Sequence, residues 1–389
     1  MRVVIAKKLL SSVGGSEIVA RRLAAALAER GHQVTCIGMR PAWPRPGIPE
    51  HVSRSMDGPA TLMEGAVRYV YLPPRFGRLG AAIDGLLPTS LADTDALTDL
   101  LRGADVVHVI AREWAASLER AARRVGAAFV ETPLAHPGQP FSGAGRHDIA
   151  RYRRDDAVIA LTEWEAEWYR AHGARSVHVT GLGARRRDVL PAADPATVLF
   201  VGRKERYKGY HALRNAARLV WRERPEARFV AIGQRAWQGR FERWAVDERW
   251  VEMDVVDEAT KDAAYSRASV FAMPSEHETF GHTYLEAWAA GRPVIAGDIA
   301  PLREVVRNGV DGWHARNEPG DVARVVLEAL ADPARAAAMG AAGRDRVSER
   351  WTWPIVAERT EAAYAAAIAG STARSGARPV PRSARAARG

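Results

Sequence analysis

Short apolar runs separated by segments of helical period constrain what this chain can fold into more than any other feature. Arg2–Ala6, Val34–Ile37, Val67–Leu72, Asp105–Ile110, Ala128–Thr132, Val158–Leu161 and Val177–Val179 read as buried strands. After a break the pattern resumes at Val198–Val201, Arg228–Ile232, Val251–Met253, Val270–Met273, Val294–Ala296 and Gly312–Ala315. Between the first two runs, Val19, Leu23, Ala26 and Leu27 share one face of a helix that Gly31 ends. Strands alternating with helices in this way form parallel sheets covered on both faces, an α/β fold. A chain of 389 residues exceeds what one core supports, so two such domains are expected. The Pro/Ala-rich segment Ala184–Ala196 is the expected hinge, dividing residues 1–185 from 186–352. Arg40 to Gly65, rich in proline and polar residues, reads as a long loop. Pro354 stands in the first turn of a last helix, 353–370, as proline can. Ligands of open parallel sheets lie beyond the carboxyl ends of the strands.

Composition narrows the class. The one cysteine, Cys36, supports neither an intrachain disulfide nor a cysteine-based zinc site, which fits a reducing, cytoplasmic setting. The opening MRVVIAKKLL has no apolar core of a signal peptide, and no run is long enough to span a bilayer. The net charge of +10 invites a nucleic-acid reading. However, residues 371–389 hold five arginines and no acid in a Pro/Ser/Ala-rich tail expected to be disordered, so half the excess lies outside the body. No nucleic-acid module is recognisable, and nucleic acid is excluded as a partner. The basic segment Arg146–Arg154 reads as a solvated helix face that leaves peripheral membrane contact open.

Chemistry concentrates in three places. In Met273–Ala290, a strand runs out at Pro274, a polar loop carries Glu278, a Phe280-Gly281 corner follows, and a helix opens that holds Glu286. The free N–H groups of that helix's first turn, Gly281 to Thr283, form a ready anion site. Carboxylates on either side can accept from sugar hydroxyls, and a phosphate between two such groups suggests a nucleotide-sugar. Second, Gly202-Arg203-Lys204-Glu205-Arg206-Tyr207-Lys208-Gly209 follows a strand. An arginine and a lysine five apart there can converge on one diphosphate. Third, Gly14-Gly15 lies between strand and helix, where absent Cβ atoms let a ligand approach the backbone. Asp93-Thr94-Asp95 could suggest a metal triplet, but with no strand before it these acids are better read as first-turn residues favouring the helix dipole. No metal is assigned.

Taken in order, these strings resemble the retaining glycosyltransferases of family four. The family signature P-S-x-x-E-x-F-G-x-x-x-x-E-A, then A-x-G-x-P-V, is met here by Pro274, Ser275, Glu278, Phe280, Gly281, Glu286, Ala287, Ala289, Gly291, Pro293 and Val294. G-R-x-x-x-x-K-G is met by Gly202, Arg203, Lys208 and Gly209. The resemblance implies two Rossmann-like domains facing across a cleft (GT-B), with helix 353–370 crossing back to the first. It implies a metal-independent, retaining transfer of a hexose-type sugar from a nucleoside diphosphate, UDP by family frequency, to an acceptor hydroxyl. No cofactor is implied, and the acceptor is unspecified. Arg203 and Lys208 would bind the diphosphate with Gly14, Gly15, Gly202 and the Phe280-Gly281-His282-Thr283 corner. Glu286 would hold the ribose and Glu278 the donor sugar. Relatives carry T-P-H-G near the reaction centre. Here Thr132-Pro133 is followed by Leu134-Ala135 before His136, which is either an active-site histidine or a loop residue. His282 replaces a usually apolar residue and either fills that space or touches phosphate. A nucleotide-sugar epimerase and a non-catalytic nucleotide- or carbohydrate-binding protein are the alternatives.

Overall fold

The computed structural model describes residues 1–12, 14–45, 47–54, 57–74, 79, 94–139, 142–185, 187, 193–235 and 247–375. The chain divides into two compact units, each with its own sheet. Unit one comprises Met1–Leu161, Ala166–Thr180 and the chain from Val356 onward, and unit two comprises Thr162–Glu165 and Gly181–Ile355.

The eight-stranded sheet of unit one runs β3-β4-β2-β1-β5-β6-β7-β8. Its strands are β1 (Arg2–Ala6), β2 (Gln33–Met39), β3 (Ala60–Glu64), β4 (Val67–Leu72), β5 (Val106–Ile110), β6 (Ala128–Thr132), β7 (Ala157–Ala160) and β8 (Val177–Val179). All pairs are parallel except β3 with β4, which set Ala60 opposite Tyr71 in antiparallel register. The inner strands are buried on both faces, which is why they read as continuous apolar runs. One core joins Val4, Ile37, Val107 and Phe129 to Trp114 and Leu118. The helix Gly15–Glu29 buries Val19, Leu23, Ala26 and Leu27, the face its period predicted.

Three expectations are corrected here. Arg40 to Gly65 contains a helix, Glu50–Arg54, and the edge strand β3, and is not one loop. Most β3 residues are exposed, so the strand carries no apolar run to announce it. The last helix spans Trp353–Ser375, so residues 371–375 belong to it and not to a tail. Nothing breaks it before Gly376, and Thr372 turns its hydroxyl back onto the Ile368 carbonyl at 2.9 Å. Residues 376–389 lie outside the described residues. The first unit ends at Thr180, not residue 185, because the 181–184 strip is bonded into unit two. The Ala184 N–H donates to the Trp351 carbonyl at 2.7 Å, and Gly181 faces Phe280 and Trp351. Similarly, the Glu304 carboxylate accepts the N–H groups of Glu163 and Trp164 at 2.8 and 3.0 Å, which draws residues 162–165 into unit two. Of the expected hinge, 186 and 188–192 lie outside the described residues.

From Val356 onward the last helix is part of unit one. Tyr364 is buried with its hydroxyl 2.8 Å from Nδ1 of His108, whose Nε2 lies 2.7 Å from the Thr132 hydroxyl. Burial lowers the His108 pKa to about 3, so this imidazole is neutral. Glu361 receives a two-pronged bond from Arg30 at 2.6 and 2.7 Å and lies 2.7 Å from Nε2 of His32.

The sheet of unit two is all parallel, in the order β11-β10-β9-β12-β13-β14. Its strands are β9 (Thr197–Val201), β10 (Arg228–Ile232), β11 (Trp250–Met253), β12 (Val270–Met273), β13 (Val294–Gly297) and β14 (Gly312–Ala315). Counted within the unit this is the doubly wound 3-2-1-4-5-6 order, which reverses between β9 and β12 and places ligands beyond their carboxyl ends. Large side chains cluster nearby, Trp288 stacked on Trp351 at 6.0 Å and Phe280 edge-on to Trp351 at 5.3 Å.

Candidate functional site

The two loops at the reversal point of unit two, with the helix that follows the second, hold all the donor-side residues singled out in sequence except Gly14 and Gly15. From β9 the chain passes through Gly202 and Arg203 into a single turn, Arg206–Lys208, and then the helix Tyr210–Glu223. From β12 it passes through Glu278 and Phe280 to Gly281, which caps the helix His282–Ala289. Gly281 has φ 82°, in the left-handed region, and a Cβ there would run into the Tyr284 ring, so only glycine forms this corner cheaply. The first N–H groups of the helix have no intrahelical acceptor and point off the sheet's carboxyl edge.

Side chains then link the two loops. Lys208 donates to the Glu278 carboxylate, and both side chains are largely buried. Arg203 is mostly exposed, bonded to Glu205 at 3.2 Å and to the Tyr207 hydroxyl. The Tyr207 ring lies against both cations, 5.7 Å from the Arg203 guanidinium and 5.3 Å from Lys208 Nζ. Its backbone carbonyl accepts from the Glu276 N–H at 2.7 Å and the Ser275 hydroxyl at 3.1 Å. Asn317 holds the same turn through the Arg206 carbonyl at 3.0 Å.

Glu286, one turn into its helix, sits in a second pair. Lys261 Nζ donates to it at 2.9 Å and the Tyr265 hydroxyl at 2.9 Å, and Nδ1 of His282 stands 3.8 Å away. Burial pushes its carboxyl up, but His282, Lys261 and Tyr265 outweigh burial and hold it below the usual range, so Glu286 is a carboxylate. Burial also lowers Lys261, and Glu286 together with Glu258, 2.9 Å away, more than reverses this. Lys261 and Tyr265 did not stand out in sequence. Their one signal is the four-residue spacing that puts both on one face of the helix Glu258–Arg267.

Two donor-side residues take different parts from those expected. Phe280 is 2% exposed and packed on Trp351, so its ring braces the corner and does not face a ligand. His282 donates through Nε2 to the Gly183 carbonyl at 3.0 Å and leans on Trp353, so it ties the helix start to the 181–184 strip. Gly202 donates its N–H to the Ile232 carbonyl at 3.0 Å, and Thr283 turns its hydroxyl toward Met273 Sδ at 3.7 Å.

The remaining sequence candidates belong to unit one and lie at its carboxyl edge. Gly14 precedes the helix Gly15–Glu29 with φ 119°, and a Cβ on it would strike the Glu17 carboxylate. Gly15 has open space around its Cα, the setting for close approach to the backbone. Lys7 and Glu113 pair at 3.1 Å between the loops after β1 and β5, the reversal point of this sheet. His136 lies after β6 in a turn closed by its N–H on the Ser142 carbonyl at 3.0 Å, with its ring half-buried. Asp93 lies outside the described residues. Asp95 is in the first turn of the helix Thr94–Leu100 and pairs with Arg124 at 3.0 Å.

Known proteins share the fold. Residues 14–185 match the family described as Glycosyl transferase 4-like domain, and 184–346 match Glycosyl transferases group 1. Among curated relatives, glycogen synthase of Mycobacterium tuberculosis is 32% identical over 191 residues, 46% of this chain and 45% of that protein. The chain thus spans less than half the length of such relatives. Sucrose-phosphate synthase from Thermosynechococcus elongatus superposes with a TM-score of 0.76 at 20% identity, covering 95% of this chain and 99% of that one. HepE of Anabaena, solved with UDP and glucose, gives 0.68 at 16% identity, covering 93% and 98%. By both family matches and by fold, the chain belongs to the glycosyltransferases of family-four type with GT-B architecture.

Proposed function

We propose that this chain transfers a hexose-type sugar from a nucleoside diphosphate to an acceptor hydroxyl, retaining configuration at the anomeric carbon. The observation that carries this reading is the joining of Arg203 and Lys208 through Tyr207 beside the Gly281-capped helix. Two cations and a row of free N–H groups are what a departing pyrophosphate needs, because negative charge grows on its oxygen as the glycosidic bond breaks. UDP is the first donor to test, since HepE was solved with UDP and glucose.

In this reading the diphosphate takes the Arg203 and Lys208 cations, displacing the Glu205 and Glu278 carboxylates. Glu278, released from Lys208, accepts from hydroxyls of the donor sugar. Glu286 accepts from the ribose hydroxyls. The bond from the anomeric carbon to the phosphate oxygen breaks, and the acceptor oxygen bonds to that carbon from the same face. The acceptor proton passes to the departing phosphate oxygen. The two cationic side chains supply the charge neutralisation, so the reaction is proposed to run without a metal ion. The acceptor, and peripheral contact with a membrane, belong to the same proposal.

Arg203→Ala and Lys208→Ala should each lower turnover by about 10²–10³ while the protein stays folded. Nucleotide release across an acceptor panel, with and without chelator, measures this, and NMR of the product reads the anomer. Near-normal rates in either variant would remove the mechanism. Incubation with UDP-sugar alone separates an epimerase, which changes the sugar with no acceptor present.

A further inference from the structure

Resting on the donor-site reading above, we propose that Tyr207 is a positioning residue that presets Arg203 and Lys208 for a diphosphate. Neither the family signature nor the chemistry of transfer requires a particular residue there, since the position is one of the unspecified places in G-R-x-x-x-x-K-G. The structure nevertheless gives this one side chain contacts to both cations. Its hydroxyl accepts from Arg203, whose guanidinium lies 5.7 Å from the ring centre, and Lys208 Nζ lies 5.3 Å from that centre. Its carbonyl holds the opposite loop through the Glu276 N–H and the Ser275 hydroxyl.

Long cationic side chains lose rotamer freedom when they bind, which subtracts directly from affinity. Here that ordering is largely complete before ligand arrives. Arg203 is mostly exposed, and besides Glu205 its anchor is the tyrosine. Lys208 is held between Glu278 and the ring. An aromatic face suits this task better than a third carboxylate. The ring attracts Lys208 and leaves its donated hydrogen bonds to phosphate oxygens, while the hydroxyl is a neutral acceptor that Arg203 can exchange for phosphate. Glu205 and Glu278 can then leave while Tyr207 stays. Because its target is the pair of cations, the effect belongs to ligands that engage both, that is, to diphosphates and not to monophosphates.

The test is calorimetric titration of UDP and UMP into the full chain, as wild type, Tyr207→Phe and Tyr207→Leu, with the melting temperature of each recorded. Leucine removes both the ring face and the hydroxyl, and UDP should bind about tenfold more weakly while UMP changes less than twofold. Phenylalanine keeps the ring over Lys208 and loses the bond from Arg203, so UDP affinity should fall about threefold. An equal loss for UDP and UMP would show that Tyr207 merely supports the loop, and would overturn the inference. So would unchanged UDP affinity in Tyr207→Leu. If the leucine variant fails to fold, the UDP-to-UMP ratio of the phenylalanine variant decides alone. Wild-type protein that binds no nucleoside diphosphate would sink the donor-site reading itself, a separate outcome.

Discussion

Replacing Lys261 by methionine tests whether Glu286 is held as a buried charge. Methionine keeps most of the apolar stem and deletes the ammonium that sits 2.9 Å from the carboxylate. At an effective dielectric constant of about 20, that separation corresponds to a gross attraction of about 6 kcal/mol. Removing one partner of a buried pair costs about 3–5 kcal/mol. Both side chains retain 12% exposure, and Tyr265 and His282 remain beside Glu286, so about 2–3 kcal/mol is the expected loss. For a unit of this size that lowers the melting temperature by roughly 4–12 °C. The loss stems from the stranded charge, so Lys261→Met/Glu286→Gln should recover several degrees. The same substitution bears on ligand. With Lys261 gone, burial prevails over the weakened attraction and the Glu286 pKa rises. The wild-type pKa is below its ordinary 4.5, so from pH 8 to pH 5.5 wild-type UDP affinity should change only as the nucleotide's own terminal phosphate takes up a proton, at about pH 6. The Lys261→Met variant should lose more affinity than wild type across that range as Glu286 also takes up a proton. Scanning fluorimetry and titration calorimetry at the two pH values give both results. A double variant no more stable than the single one would refute the buried-charge argument.

His108 carries an acid sensitivity. Its native pKa of about 3 lies below the ordinary 6.5, so the unfolded chain takes up the proton first. Its stability contribution is complete above pH 6.5 and falls toward pH 3, by about 2 kcal/mol at pH 5. His108→Gln should lack that slope in urea melts at pH 7 and pH 5, and an identical slope would count against it. Gly281→Ala puts a Cβ on a left-handed residue and into the Tyr284 ring, so a loss of about 2–4 kcal/mol and weaker UDP binding are expected. Glu361→Ala unties Arg30 and His32 from the last helix in a half-buried setting, and about 1 kcal/mol in a thermal melt is the expected cost.

Much of the fold could be read from sequence because the inner strands of both sheets are covered on each side and show as unbroken apolar runs. β3 did not show, since an exposed edge strand such as ATLME needs no such run. The unit boundary eluded composition because Gly181 to Ala184 is fixed by two tryptophans more than 160 residues away, a tertiary fact. At the site, the loops and the capping glycine were legible from residue type. The pairings were not. Sequence set Glu278 against a sugar and Lys208 against phosphate, whereas in the structure the two side chains pair with each other. Lys261 lies on another helix, so no spacing along the chain ties it to Glu286. Phe280 shows the opposite failure, a signature residue whose ring is core.

The seam between His108 and Tyr364 spans 256 positions and is internal to the N-terminal unit. That unit therefore begins to emerge from the ribosome before unit two yet lacks part of its own interior until Tyr364, beyond all of unit two, has been made. The 181–355 portion finishes translation before the opening portion can be sealed, so maturation should run in the reverse of synthesis order. A nascent chain stalled before Tyr364 should stay open to protease within its first 160 residues, and release of the final helix should close it.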